Sequence, residues 1–236
     1  MKVQVKVFRG RDFNERRPED YQIFEYTGDE KASVAQLLYE LNSKERLVDI
    51  HGQTCEKITW ECSCFVKKCG ACAMRINGIP RLACSFFLYE LKSPEITLEP
   101  LSKFPIVKDL TVDRSFIFES LKEISLWLEG NARMKPETHE YRYGSAKCLM
   151  CGCCLEVCPN FRVGGRFTGA VTPVNMYRIL DEQEKNGHRK DMKRSYSKSY
   201  YEGCGKSLSC RDICPAGIPV DDLIARSNAA AVWGRG

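Results

Sequence analysis

Cysteine placement constrains this 236-residue chain more than any other feature. Cys64, Cys69 and Cys72 stand as C-x4-C-x2-C, and Cys84 follows after an eleven-residue gap. Cys148, Cys151, Cys154 and Cys158 stand as C-x2-C-x2-C-x3-C with Pro159 behind them, and Cys204, Cys210 and Cys214 form a third run with Pro215 behind it. The pattern changes type between residues 84 and 148, which argues for two domains rather than one. At 43% hydrophobic residues, a chain of this length can bury a core in each. Fourteen cysteines would suggest a disulfide framework in a short secreted protein, but here they bunch at metal-ligand spacing with no signal peptide ahead of them. A reducing compartment is the expectation.

Thiolates select zinc, cuprous copper or iron-sulfur clusters, so the element has to be argued from number and spacing. Structural zinc takes four ligands, usually as two separated pairs. The first spacing is instead that of a plant-type 2Fe-2S centre, and the C-x2-C-x2-C-x3-C-P run is that of a bacterial-type ferredoxin. In two-cluster ferredoxins each run of three serves one cluster and the fourth cysteine serves the other. Cys148, Cys151, Cys154 and Cys214 are thus expected on a 4Fe-4S cluster, which leaves Cys158, Cys204 and Cys210 for the other. Three thiolates fit a 3Fe-4S cluster; the fourth position falls on Ser207, in a C-x2-S-x2-C frame. Serine is a hard oxygen donor, and a bystander role suits it better than ligation.

Cys55, Cys62 and Cys153 are left over as small buried or loop thiols, with Cys62 the one serious rival ligand in the first cluster. The pair Cys69 and Cys72 could form a thioredoxin-like redox dithiol, but the βαβ context is missing and Cys64 and Cys84 complete a ligand set. Gly205-Lys206-Ser207 imitates the end of a P-loop whose first glycine is replaced by Tyr200. His51, His139 and His188 are isolated in sequence, and no catalytic residue is expected on the chain.

The fold expected is α+β: an N-terminal β-grasp 2Fe-2S ferredoxin domain over residues 1–105, then an all-α bacterial-type two-cluster domain over residues 106–236. Val3, Val5 and Val7 alternate with polar residues as in a half-buried strand, and Tyr21 to Tyr26 is its partner. Val34, Leu37, Leu38 and Leu41 recur at helical spacing. Asn77-Gly78 predicts a type I′ hairpin that brings Cys72 and Cys84 together, and Pro80 puts its second strand at an edge. Ile96 and Leu98 suggest a closing strand, and Pro100 to Pro105 a linker. Beyond it, helices are expected over Ser115 to Glu129, from Thr172-Pro173 to a stop at Gly187, and from Pro219 through Val232. Residues 148–158 and 204–214 read as a degenerate duplication.

No run of 18 apolar residues is present, so any membrane contact is peripheral or through a partner. Arg16-Arg17 is followed by the charged Pro18-Glu19-Asp20, which excludes a twin-arginine signal. Much of the net charge of +5 sits in Lys185, Arg189, Lys190, Lys193, Arg194 and Lys198. A solvated surface is the plainer reading; a docking face for an acidic partner or anionic lipid is the other. No nucleic-acid recognition motif accompanies it.

The text Cys69-Gly70-Ala71-Cys72-Ala73-Met74-Arg75-Ile76-Asn77-Gly78, the run Pro80-Arg81-Leu82-Ala83-Cys84 and the cysteine order as far as Cys214-Pro215 resemble the iron-sulfur subunit of succinate dehydrogenase and fumarate reductase, over nearly the whole chain. The resemblance implies 2Fe-2S, 4Fe-4S and 3Fe-4S clusters relaying single electrons between a FAD-containing flavoprotein subunit and a quinone-binding membrane anchor, on the cytoplasmic face of the inner membrane, with no substrate chemistry on this chain. Two residues depart from it: Val163 stands where many quinone-linked relatives carry tryptophan, and Asn228 where relatives usually carry lysine. These weigh against quinone as the direct partner and toward a thiol-linked fumarate reductase or a subunit of another flavoprotein dehydrogenase. A freely diffusing multi-cluster carrier is the reading from a different class.

Overall fold

A computed structural model describes residues 1–132, 135–183 and 186–233. The chain divides into two compact units, Met1–Asp113 and Arg114–Gly236.

The first unit opens with β1 (Lys2–Phe8), whose alternate residues Val3, Val5 and Val7 are buried. It pairs antiparallel with β2 (Tyr21–Thr27) from Lys2↔Thr27 to Phe8↔Tyr21. Ser33 caps α1 (Val34–Ser43) by accepting from the Gln36 N–H at 3.2 Å, and the helix buries Val34, Leu37, Leu38 and Leu41 as the periodicity predicts. Two short strands, β3 (Leu47–Val48) and β4 (Thr54–Cys55), pair antiparallel. Then β5 (Ala73–Ile76), β6 (Ile79–Leu82) and β7 (Glu95–Glu99) complete a five-stranded sheet in the order β2-β1-β7-β5-β6. The strand holding Ile96 and Leu98 is the last of this sheet in chain order, as expected. It slots into the middle, parallel to β1 and antiparallel to β5.

Asn77 and Gly78 have φ of 49° and 78°, the paired positive values a type I′ turn requires. The Asn77 side chain also accepts from the Thr97 N–H at 2.8 Å, tying the turn to β7. Pro80 lies opposite Arg75 on β6, the edge strand, where its missing N–H leaves no ladder bond unmade.

Residues 100–105 are not a linker. Leu101 and Phe104 are buried, and the chain continues into a hairpin of β8 (Ile106–Lys108) and β9 (Thr111–Val112). Buried Asp109 fastens this hairpin to the first unit: it accepts from the Thr59 N–H at 2.7 Å and pairs with Arg9 at 3.2 Å. The boundary consequently falls at 113/114 rather than at the expected 105/106.

The regular elements of the second unit are, among the described residues, all helical. The first, α2 (Ser115–Glu123), ends six residues short of the expected Glu129. Ser125 adopts φ 56° there, its N–H bonding to Lys122 O while that of Leu126 bonds to Leu121 O, a Schellman stop without a glycine to announce it. Short helices α3 (His139–Ala146) and α4 (Cys153–Glu156) follow.

The central helix is α5 (Val171–Glu182), nearly buried all round from Val171 to Leu180. Its cap is Ala170, not Thr172, which lies inside the first turn with its hydroxyl 2.6 Å from that of Thr168. Gly187 does not stop this helix. It opens α6 (Gly187–Ser199), capped by the Asn186 side chain accepting from the Arg189 N–H at 3.0 Å. Last is α7 (Val220–Ala231), as expected, joined to α5 by a bond from Ser227 Oγ to Pro173 O of 2.8 Å. On α6 the basic residues Lys190, Arg194 and Lys198 are exposed, and Lys185 lies outside the described residues. Among those residues no helix is long and apolar enough to cross a membrane.

Candidate iron-sulfur centres

In the first unit, the loop ahead of the cysteines is anchored by Asn42 at the end of α1, whose side chain donates to Ile58 O at 2.8 Å and accepts from the Ile58 N–H at 2.9 Å. Phe65, Lys67 and Gly70 then take positive φ. This winding turns backbone N–H groups inward, and Cys64 Sγ accepts from Val66 at 3.4 Å and Lys68 at 3.2 Å. These two bonds lower the Cys64 thiol to about 7, toward the thiolate that binds metal. Across the hairpin, the Ala83 N–H bonds to Cys72 O at 3.0 Å, and the Cys72 and Cys84 side chains interact. Burial pushes the Cys72 thiol strongly upward. Cys69 interacts with Cys64, so the four expected sulfurs gather around one loop and one hairpin.

Cys62 belongs to the same neighbourhood. Burial raises its thiol, which interacts with those of Cys72, Cys84 and Cys69. Cys55 does not: on β4, its thiol donates to Gln53 O at 3.3 Å.

In the second unit, Met150 (φ 47°) and Gly152 (φ 90°) bend the chain between Cys148 and Cys154. Cys148, Cys151, Cys154 and Cys214, drawn from two segments, line one small pocket together with apolar residues including Met150, Val171 and Ile218. Burial raises the Cys148 and Cys154 thiols. Cys151 is lowered to about 7, first by the Cys153 side chain, then by the Cys153 backbone N–H and by Arg114. Cys153, completely buried, is driven the opposite way by the same contact.

Burial pushes the Cys210 thiol up to about 11, and the charges of Cys158 and Cys204 add to the effect. Asn160 Nδ2 donates to Gly203 O at 2.7 Å, and a Cβ on Gly203 would stand 2.7 Å from Phe167, so the turn into Cys204 is tightly held. Tyr200 OH donates to Cys204 Sγ at 3.4 Å, a contact foreshadowed only by the four-residue spacing of the two.

Ser207 is exposed, flanked by Lys206 and Leu208 at positive φ, and accepts from Ser209 Oγ at 3.3 Å. His188 bonds Trp127 O at 2.9 Å, His139 stacks on Tyr143, and His51 lies in an exposed turn.

The donor sets suit iron-sulfur clusters. Burial raises Cys72, Cys148, Cys154 and Cys210, and bound iron would supply the cationic charge that lets such thiols ionise together. The clusters, when bound, add reversible one-electron chemistry.

A family model described as a 2Fe-2S iron-sulfur cluster binding domain matches residues 4–119, and one described as a 4Fe-4S dicluster domain matches residues 144–218. The succinate dehydrogenase iron-sulfur subunit of Bacillus subtilis is 35% identical over 191 residues, 77% of this chain and 75% of its own. The fumarate reductase iron-sulfur subunit of Haemophilus influenzae is 30% identical over 209 residues, 78% of this chain and 79% of its own. A chain in the structure of the Mycobacterium smegmatis Sdh1 complex in the apo form shares the fold, with a TM-score of 0.76 at 23% identity, covering 98% of this chain and 95% of that one. By these matches the chain belongs to the iron-sulfur subunit family of succinate dehydrogenases and fumarate reductases.

Proposed function

We propose that this chain relays single electrons within a succinate dehydrogenase or fumarate reductase type complex, between a FAD-containing flavoprotein subunit and a second redox partner. Cys64, Cys69, Cys72 and Cys84 hold the 2Fe-2S cluster. Cys148, Cys151, Cys154 and Cys214 hold the 4Fe-4S cluster, and Cys158, Cys204 and Cys210 the 3Fe-4S cluster. The observation that carries the reading is the apolar pocket on which Cys214 converges with the three cysteines of the middle run, the same crossed pairing that the spacing requires.

The chain's own residues provide thiolates, exclude water from the middle centre with Met150, Val171 and Ile218, and donate backbone N–H groups to sulfur at Cys64. No acid or base acts on substrate here; that chemistry belongs to the flavin partner. The second partner is a membrane anchor handling quinone, or a thiol-linked donor, and the chain sits on the cytoplasmic face of the inner membrane through its partners. Asn228, the departure at the lysine position, favours the thiol-linked reading: it is buried and accepts from Tyr196 OH at 2.7 Å, leaving no cation there.

The test is isolation of the intact complex, with assays of FAD, iron, succinate, fumarate, quinols and thiols. Co-purification with a FAD subunit and succinate or fumarate turnover is expected. A stable, fully loaded monomer would point to a free carrier instead.

A further inference from the structure

We propose that the buried hydroxyl of Tyr200, by donating to the Cys204 sulfur, raises the reduction potential of the iron-sulfur centre that Cys204 helps to hold. This rests on the reading above, in which Cys158, Cys204 and Cys210 carry the 3Fe-4S cluster.

Tyr200 stands directly after α6, with its N–H bonded to Tyr196 O at 3.0 Å. Its carbonyl accepts from the Cys204 N–H at 3.0 Å and the Gly203 N–H at 3.1 Å, while its side chain donates to Cys204 Sγ at 3.4 Å. One residue thus grips the cysteine by backbone and side chain together. The ring is only 1% exposed. Phe167 stacks against it with centroids 5.7 Å apart at 24°, and Tyr196 packs at 5.3 Å. The rotamer is locked and water is kept from the hydroxyl.

Reduction brings one electron to the centre and leaves more negative charge on the ligand sulfurs. A donor aimed at one of those sulfurs stabilises the reduced form more than the oxidised form, as charge-assisted hydrogen bonds do. A phenol, ionising near pH 10, keeps its proton at neutral pH. No bond breaks and no proton moves: one electron enters, and the hydrogen stays on the Tyr200 oxygen in both states. Tyr196 provides the internal control. It is as deeply buried in the same core, but its hydroxyl donates to Asn228 Oδ1 and not to sulfur.

The experiment is a potentiometric titration of the assembled complex, followed by electron paramagnetic resonance of the oxidised 3Fe-4S signal, for wild type, Tyr200→Phe and Tyr196→Phe. Tyr200→Phe is expected to shift the midpoint to lower potential with the signal intensity retained, and Tyr196→Phe to leave it in place. An unchanged or raised midpoint in Tyr200→Phe, or an equal shift in Tyr196→Phe, overturns the proposal. Wild-type complex exchanged into D2O supplies a second measurement that needs no variant to assemble: electron-nuclear double resonance is expected to show an exchangeable proton coupled to the oxidised cluster. Its absence overturns the proposal as well. Wild type without any 3Fe-4S signal would instead refute the ligand assignment, an outcome distinct from an unshifted midpoint.

Discussion

At the scale of single residues, neighbouring thiols differ by what their backbone offers them. Cys64 receives two inward N–H groups, whereas Cys62, two positions earlier, is raised by burial. Cys64→Ala should therefore abolish the 2Fe-2S absorption and resonance signals, and Cys62→Ala should retain them; the reverse result would exchange their roles. Ser207 poses the same question at the third centre. Because it occupies the C-x2-S-x2-C frame but presents a hard oxygen, Ser207→Cys should recruit a fourth iron and erase the 3Fe-4S resonance of the oxidised state. Spacing alone made the eleven proposed ligands legible, since a short loop around a cluster leaves its step length in the sequence. The Tyr200 donor was not legible, because a hydrogen bond to sulfur depends on rotamer and burial, for which no local pattern is diagnostic.

At the scale of elements, each centre depends on a turn or helix that can be disturbed without touching a thiol. Gly169, at φ 71°, precedes α5, and a Cβ on it would meet Leu155 Cδ2 of α4 at 2.2 Å. Leu155 is fully buried beside Cys154, so its side chain has to shift within a packed core. Gly169→Ala should cost on the order of 3 kcal/mol, from left-handed strain plus overpacking, and reduce 4Fe-4S occupancy by iron analysis while the 2Fe-2S signal persists. On β2, burial and a 2.6 Å bond to Glu99 push the Tyr21 phenol up to about 12. A raised value in the fold means that stability is complete below about pH 10, the unfolded value, and is lost as pH climbs through the folded value near 12. Denaturation midpoints followed between those limits should fall less steeply in Tyr21→Phe than in wild type. Patterns of period two and 3.6 located β1, β2 and α1, Asn77-Gly78 located the hairpin, and the start after Pro219 located α7. The stop of α2 at Ser125 and the capping of α6 by Asn186 escaped, because a serine in the left-handed region and a glycine opening a helix contradict the usual local preferences.

At the scale of the whole molecule, the family and the three donor sets imply about nine irons per chain when loaded. Iron and sulfide analysis of the intact complex tests this, and a value near six would remove the third cluster. The sequence by itself determined the number and kind of centres, the crossed pairing expected of the last two runs and the family, because cluster ligation is written in residue type and step length. Only the tertiary structure decided that Leu101 and Phe104 bury where a linker was expected, that β7 enters the middle of the sheet, and that Tyr200 turns its hydroxyl onto Cys204. Those outcomes come from side chains and strands far apart in the chain competing for the same buried space, a contest that short-range periodicity does not record.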